Sequence, residues 1–264
     1  MLKCKWFVIP LPRPTASLKI FCFPYAGGNA ATYMNWAKQL PDSVELIAVQ
    51  PPGRTTRMFE SAYTDMDNLT NDLLKVIQKH INKPYVLFGH SLGSRIAFEL
   101  MAKLKNNGLV LPEYFIASGS RGPNKTIIKK SIYNLPEEEF VVELKTLNGT
   151  PEEILQNKEL MELYIPLLRA DFQIADTYSC SSDVKFDCPV SVFGGEDDDE
   201  ISFSDLSSWN DFFLHEAEVK MLPGNHFFID KNQELVISYV NIILKRILNN
   251  INQCDDTQEL MSNC

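Results

Sequence analysis

The sequence predicts an α/β fold: a mostly parallel sheet flanked by helices, with a helical insertion late in the chain. Two observations lead there. Up to about residue 120, short apolar runs alternate with longer amphipathic stretches, which is the pattern of βαβ units. From about 121 to 183, helix signals follow one another without an intervening strand, and the strand pattern resumes at Pro189.

The elements follow in order. Leu18 to Phe23, Val44 to Val49, Tyr85 to Phe88, Tyr114 to Ala117 and Val190 to Phe193 are short apolar runs and read as buried strands. Glu218 to Leu222 is a less apolar candidate. Ala30 to Leu40, Asp67 to Ile81 and Ser94 to Asn107 are amphipathic and read as helices, the last ending at Gly108. Within the insertion, Pro136 precedes three glutamates and Pro151 precedes two, each the signature of a first helical turn. A third helical pattern runs from Asn157 to Tyr178, with Pro166 expected to kink it. Residues 1–248 thus form one domain with a lid insertion at about 121–183. The polar, aperiodic residues 249–264 read as a loose tail.

Composition narrows the function classes. A net charge of −9 disfavours a nucleic-acid binder, because such a chain repels phosphate backbones. No run approaches the roughly 20 apolar residues needed to cross a bilayer. Trp6 to Leu11 is apolar but short, with prolines at 10, 12 and 14, and no small-residue cleavage site follows. A cytoplasmic monomer is therefore expected. Cys4, Cys22, Cys180, Cys188, Cys254 and Cys264 form no C-x-x-C pair and no zinc spacing, so no metal is expected.

Gly89-His90-Ser91-Leu92-Gly93 follows an apolar strand and opens a helix. That context makes it the nucleophile elbow of the α/β-hydrolase fold. The serine sits on a tight strand-to-helix turn, and glycines flank it because side chains there would collide with the neighbouring strand and helix. The helix N-terminus beneath it favours developing negative charge. Ser91 is the expected nucleophile.

A serine hydroxyl needs a base to take its proton and a carboxylate to orient that base. In this fold the acid and then the histidine follow the serine in sequence. Of His80, His90, His215 and His226, only the last two come late enough. His226 lies in the loop after Glu218 to Leu222, where a base belongs, whereas His215 precedes that strand. The acid should follow Val190 to Phe193, where Gly194-Gly195 leads into Glu196, Asp197, Asp198, Asp199 and Glu200. Spacing favours Asp197, then Asp198. The oxyanion hole is expected from two backbone amides: Leu92, after the nucleophile, and Ala26, in the Pro24-Tyr25-Ala26-Gly27-Gly28 turn.

From about residue 18 to 245 the chain resembles the type II thioesterases, the free-standing editing enzymes of nonribosomal peptide and polyketide synthases. The carriers are Phe21 to Gly28, Tyr33 and Trp36, Pro52-Gly53-Arg54, the elbow, Leu147 to Pro151, Leu168-Arg169-Ala170-Asp171-Phe172, the Gly194-Gly195 acidic loop, and Gly224 to Phe228. The resemblance implies a Ser91, Asp197 and His226 triad and an oxyanion hole from the Ala26 and Leu92 amides. It also implies a lid that shapes an acyl channel. The substrates would be acyl or aminoacyl thioesters on the phosphopantetheine arm of carrier proteins, with no cofactor of the enzyme's own.

Arg169 and Asp171 are expected to make salt bridges within the lid, with a role in substrate passage as the alternative. Arg54 and Arg57 are expected to be loop charges, or else to meet the phosphopantetheine phosphate or an acidic carrier helix. Two competing readings differ in substrate or class. One is a medium-chain thioesterase of fatty acid synthesis or a carboxylesterase of the same fold. The other is a non-catalytic carrier-binding protein.

Overall fold

The structure is a computed structural model describing residues 4–125, 131–180 and 183–262, with side chains through residue 253. Its strands are β1 (Phe7–Val8), β2 (Leu18–Phe23), β3 (Val44–Val49), β4 (Tyr85–His90), β5 (Tyr114–Ser118), β6 (Val190–Gly195) and β7 (Glu218–Leu222). They form a sheet in the order β1-β3-β2-β4-β5-β6-β7. All neighbours are parallel except the edge pair β1 and β3, where Phe7 opposes Val49. β1 is an addition to the sequence reading, since two residues are too few to show a strand period.

Side chains alternate across each strand, so the sheet has two apolar faces. Phe21 and Phe23 enter one core with Leu87, Phe98 and Trp209. Leu18, Ile20 and Cys22 enter the other with Tyr33, Trp36 and Phe88. Helices α1 (Met66–Ile77) and α2 (Leu92–Asn106) contribute to the first core. Gly108, with φ +63°, lies just beyond the end of α2, a conformation that glycine adopts without a Cβ penalty.

Between β5 and β6 lie α3 (Glu137–Leu147), α4 (Glu152–Leu155) and α5 (Lys158–Thr177), with no strand among the described residues of 121–183. Residues 126–130 and 181–182 of that insertion lie outside the described residues. Phe140, Leu144, Met161, Ile165 and Leu168 give these helices a small core of their own. Pro166 lies inside α5 without ending it. After β6 come α6 (Phe203–Ser207), α7 (Phe228–Lys231) and α8 (Gln233–Ser262).

Two sequence expectations are corrected. Ala30 to Leu40 is not one helix but two 3₁₀ turns, Ala30–Tyr33 and Trp36–Lys38. Tyr33 and Trp36, three residues apart, are both fully buried with ring centroids 5.2 Å apart. The supposed loose tail from 249 is helical, because α8 runs on to Ser262. No glycine or proline interrupts residues 233–262, and Val236 to Leu248 anchor the helix in the core. Cys254 and Cys264 lie beyond the described side chains, and Cys4, Cys22 and Cys188 are free thiols.

Candidate active site

Strand β4 ends at His90 and α2 begins at Leu92, leaving Ser91 alone on the turn with φ 52° and ψ −119°. A non-glycine residue adopts this backbone only when its surroundings impose it. Here they do. The Ser91 amide donates to the Ser118 carbonyl at 2.7 Å. Ser94 Oγ donates to the Gly89 carbonyl at 2.7 Å. A Cβ on Gly93 would stand 2.2 Å from the Phe23 carbonyl oxygen, and one on Gly89 2.4 Å from that of Gly93. The flanking glycines therefore let β2 and α2 close around the serine.

His226, in the loop after β7, lies with Nε2 2.9 Å from Ser91 Oγ. Its Nδ1 lies 2.8 Å from a carboxylate oxygen of Asp198. A carboxylate accepts, so Nδ1 carries the proton. Nε2 is then free to accept from the serine hydroxyl.

The acid on His226 is therefore Asp198, and the sequence expectation of Asp197 is corrected. The reason is strand length. β6 does not stop at Phe193 but continues through Gly194 and Gly195, with Gly195 opposite Leu222. The turn thus begins later than the glycines suggest. The Asp197 amide donates to the Gly224 carbonyl at 3.0 Å, and Asp197 faces solvent. The Asp198 side chain is 1% exposed. Its second oxygen accepts from the Glu200 and Ile201 amides at 2.9 and 3.2 Å, which holds the carboxylate toward the histidine.

Ala26 and Leu92 both line the cavity that contains Ser91 and His226. Leu92 is the first residue of α2, so its amide has no intrahelical acceptor. Around Ala26 the turn is tied on both sides. The Gly28 amide donates to the Tyr25 carbonyl at 2.8 Å, and the Gly27 amide donates to Asp171 of α5 at 2.7 Å.

That contact overturns the expected pairing within the lid. Asp171 takes a bidentate ion pair from Arg54, with contacts of 2.9 and 2.8 Å, and both side chains are buried. Arg54 also donates to the Gly28 carbonyl at 2.9 Å. Arg169 instead donates to the Tyr133 carbonyl and lies over the Phe140 ring. Arg57 is buried as well, donating to the Gln50 carbonyl and to Glu60 and lying over Trp6. Neither Arg54 nor Arg57 is a solvated loop charge.

His90 is buried, and burial pushes its pKa well below the ordinary histidine value. It is the neutral ring that ties the base loop to the elbow. Its Nε2 lies 3.0 Å from the His226 carbonyl oxygen, which can only accept, so this nitrogen carries the proton. Nδ1 then accepts from Ser118 Oγ at 2.9 Å. Tyr25 donates to Asp230 at 2.8 Å, joining the Ala26 turn to the segment after His226. His215 pairs with Asp187 at the surface, away from the serine. His80 donates to the Val76 carbonyl.

Two cavities meet at Ser91, His226 and Ala26. One is bounded by Arg95, Arg121, Phe172 and Tyr178, the other by Leu144, Leu147, Leu168, Phe172 and Phe227. The residues from α3 and α5 thus roof the serine. Among the described residues, no group of three or more His, Cys, Asp or Glu side chains is placed to hold a metal ion. No helix of the described residues is long and apolar enough to cross a membrane.

A family model for the thioesterase domain matches residues 18–244. The chain is 36% identical over 244 residues to the gramicidin S biosynthesis protein GrsT of Aneurinibacillus migulanus, covering 92% of this chain and 95% of that protein. It is similar to the structure of ClbQ from the colibactin NRPS/PKS pathway, with a TM-score of 0.83 and 32% identity over 88% of this chain and 98% of the other. It is also similar to the type II thioesterase BorB from the borrelidin biosynthetic cluster. There the TM-score is 0.82 and the identity 30%, over 91% of this chain and 98% of the other.

Proposed function

The chain belongs to the thioesterase family, and we propose that it releases acyl or aminoacyl groups from the phosphopantetheine arm of carrier proteins, clearing misprimed or stalled nonribosomal peptide and polyketide synthases. The observation that carries the chemistry is the continuous chain from Ser91 through His226 to Asp198, with links of 2.9 and 2.8 Å.

In this reading His226 Nε2 takes the hydroxyl proton as Ser91 Oγ bonds to the thioester carbonyl carbon. Asp198 holds the imidazole in the required tautomer and stabilises the imidazolium. The Ala26 and Leu92 amides hold the oxyanion, aided by the α2 dipole. The carbon–sulfur bond then breaks and the pantetheine sulfur leaves with the proton from His226. Water, giving a proton to His226, attacks the acyl-serine and frees the acid, and the proton returns to Ser91. The α3–α5 segment serves as the lid over the acyl group. The enzyme needs no cofactor of its own, since phosphopantetheine arrives with the carrier. It works as a cytoplasmic monomer.

The test compares kcat/KM for an acyl or aminoacyl group on a carrier protein, on coenzyme A and on a simple oxygen ester. The expected order places the carrier-bound thioester first. Hydrolysis of the ester with none of the carrier thioester would overturn the substrate assignment. Full activity in Ser91→Ala would overturn the mechanism.

A further inference from the structure

We infer that Asp171 and Arg54 are positioning residues for the oxyanion hole, so that the lid helix α5 is part of the machinery that stabilises the transition state and not only a cover. The inference deepens the proposed mechanism and rests on the reading of Ser91 as nucleophile and the Ala26 amide as oxyanion donor.

The argument begins with the two peptide planes around Ala26. Its N–H belongs to the plane that carries the Tyr25 carbonyl, and that carbonyl is held by the Gly28 amide at 2.8 Å. The following plane carries the Gly27 N–H, which is held by Asp171 at 2.7 Å. With both planes fixed, the direction of the Ala26 N–H is fixed. Gly27 has φ +75° and no Cβ, so the turn has little stiffness of its own and needs an outside anchor.

The anchor is built to hold direction. The same Asp171 oxygen that takes the Gly27 N–H also takes Arg54 Nη1, while its other oxygen takes Nη2. The planar fork leaves the carboxylate one orientation. Arg54 Nη1 reaches on to the Gly28 carbonyl at 2.9 Å, so the guanidinium grips the turn directly as well. One buried ion pair thereby joins the Ala26 turn, the loop after β3 and α5.

Around Asp171 on α5, Leu168 belongs to the lid's own core with Phe140, Leu144, Met161 and Ile165, and Phe172 packs against it. One turn earlier on α5, Leu168 Cδ2 stands where a Cβ on Gly27 would come within 2.6 Å. Leu168 and Phe172, on either side of Asp171, wall the cavity that holds the serine. A shift of α5 under a poorly fitting acyl group therefore reaches the Ala26 amide directly. Displacement of a donor by about 1 Å is worth on the order of 100-fold in rate.

The test uses Asp171→Ala, Asp171→Asn, Arg54→Lys and the double variant Arg54→Ala/Asp171→Ala. Substrates are a p-nitrophenyl acyl ester and an acyl-carrier thioester, and active sites are counted by titration. For Asp171→Ala, kcat per titrated site should fall on the order of 100-fold on both substrates, with KM within about twofold. The pH midpoint of kcat/KM should not move, because His226 and Asp198 are untouched. A boronic acid forming a tetrahedral adduct on Ser91 should lose affinity by the same factor as kcat/KM. Asp171→Asn and Arg54→Lys, which keep a polar partner at each position, should lose less. The double variant should be no worse than Asp171→Ala.

Wild-type kcat per titrated site in the folded fraction of Asp171→Ala would overturn the inference. So would a raised KM at unchanged kcat, which would make α5 a channel wall alone. Failure of the carrier-thioester reading leaves the ester arm intact, and there the positioning role is read independently.

Discussion

His90 Nε2 lies 3.0 Å from the carbonyl oxygen of His226, so the residue before the nucleophile holds the loop that carries the base. Nucleophile and base are 135 residues apart in sequence. This contact ties them together through a histidine that cannot itself serve, since its ring is buried against Ser118 and Gly119.

The first prediction concerns pH and stability. Around His90 lie Tyr25, His226, Phe227 and Phe228, and among the described residues its ring nitrogens meet Ser118 Oγ and the His226 carbonyl, not a carboxylate. Burial holds its folded-state pKa well below the ordinary value, while the unfolded chain protonates it near pH ~6.5. Below that pH the unfolded state binds the extra proton. The stabilisation is thus fully present above about pH 6.5 and is lost as pH falls toward the folded-state value. Between pH 6.5 and 5.5 the unfolding free energy of the wild type should drop by about 1 kcal/mol more than that of His90→Gln. Urea titrations at the two pH values give the comparison, and equal slopes would refute it.

The second prediction separates three adjacent aspartates. Asp198→Ala should lower kcat by about 10⁴-fold, as loss of the orienting acid does elsewhere. Asp197→Ala and Asp199→Ala, both at exposed positions, should stay within severalfold of wild type. A large loss in Asp197→Ala alone would return the role to the residue that spacing favoured. Steady-state hydrolysis of any Ser91-dependent substrate suffices.

The third prediction tests strain at the nucleophile. Ser91→Ala and Ser91→Gly both remove the hydroxyl and its bond to His226, so their difference reports the backbone. At φ 52° and ψ −119° a Cβ is unfavourable. Ser91→Gly should be more stable than Ser91→Ala by about 1 kcal/mol, despite the entropy glycine loses on folding. Denaturant midpoints measure this, and a less stable glycine variant would show the elbow to be relaxed.

Much of the site was legible because its signals are local. The Gly89-to-Gly93 elbow needs only a strand before it and a helix after it, and both follow from the pattern of apolar residues around it. Leu18–Phe23, Val44–Val49 and Glu218–Leu222 are strands at the bounds read from the sequence. His226 could be chosen from four histidines by chain order and by its place after a strand. Ala30 to Leu40 misled because an amphipathic stretch does not distinguish an α-helix from consecutive 3₁₀ turns. The C-terminal residues misled for the opposite reason. Weak periodicity concealed a helix that needs only the absence of a breaker and an anchored start.

By itself, then, the sequence determined the α/β order of elements, the serine on its turn, the histidine that faces it and the acidic loop behind. These depend on residues close together in the chain, where backbone preference and the spacing of apolar residues govern. Only the tertiary structure decided that Asp198 and not Asp197 meets His226. That choice depends on how far β6 pairs with β7, which a run of glycine and acid does not encode locally. Only the tertiary structure, too, brought Arg54 and Asp171 together across 117 positions, where each residue's charge is visible in sequence but its partner is not.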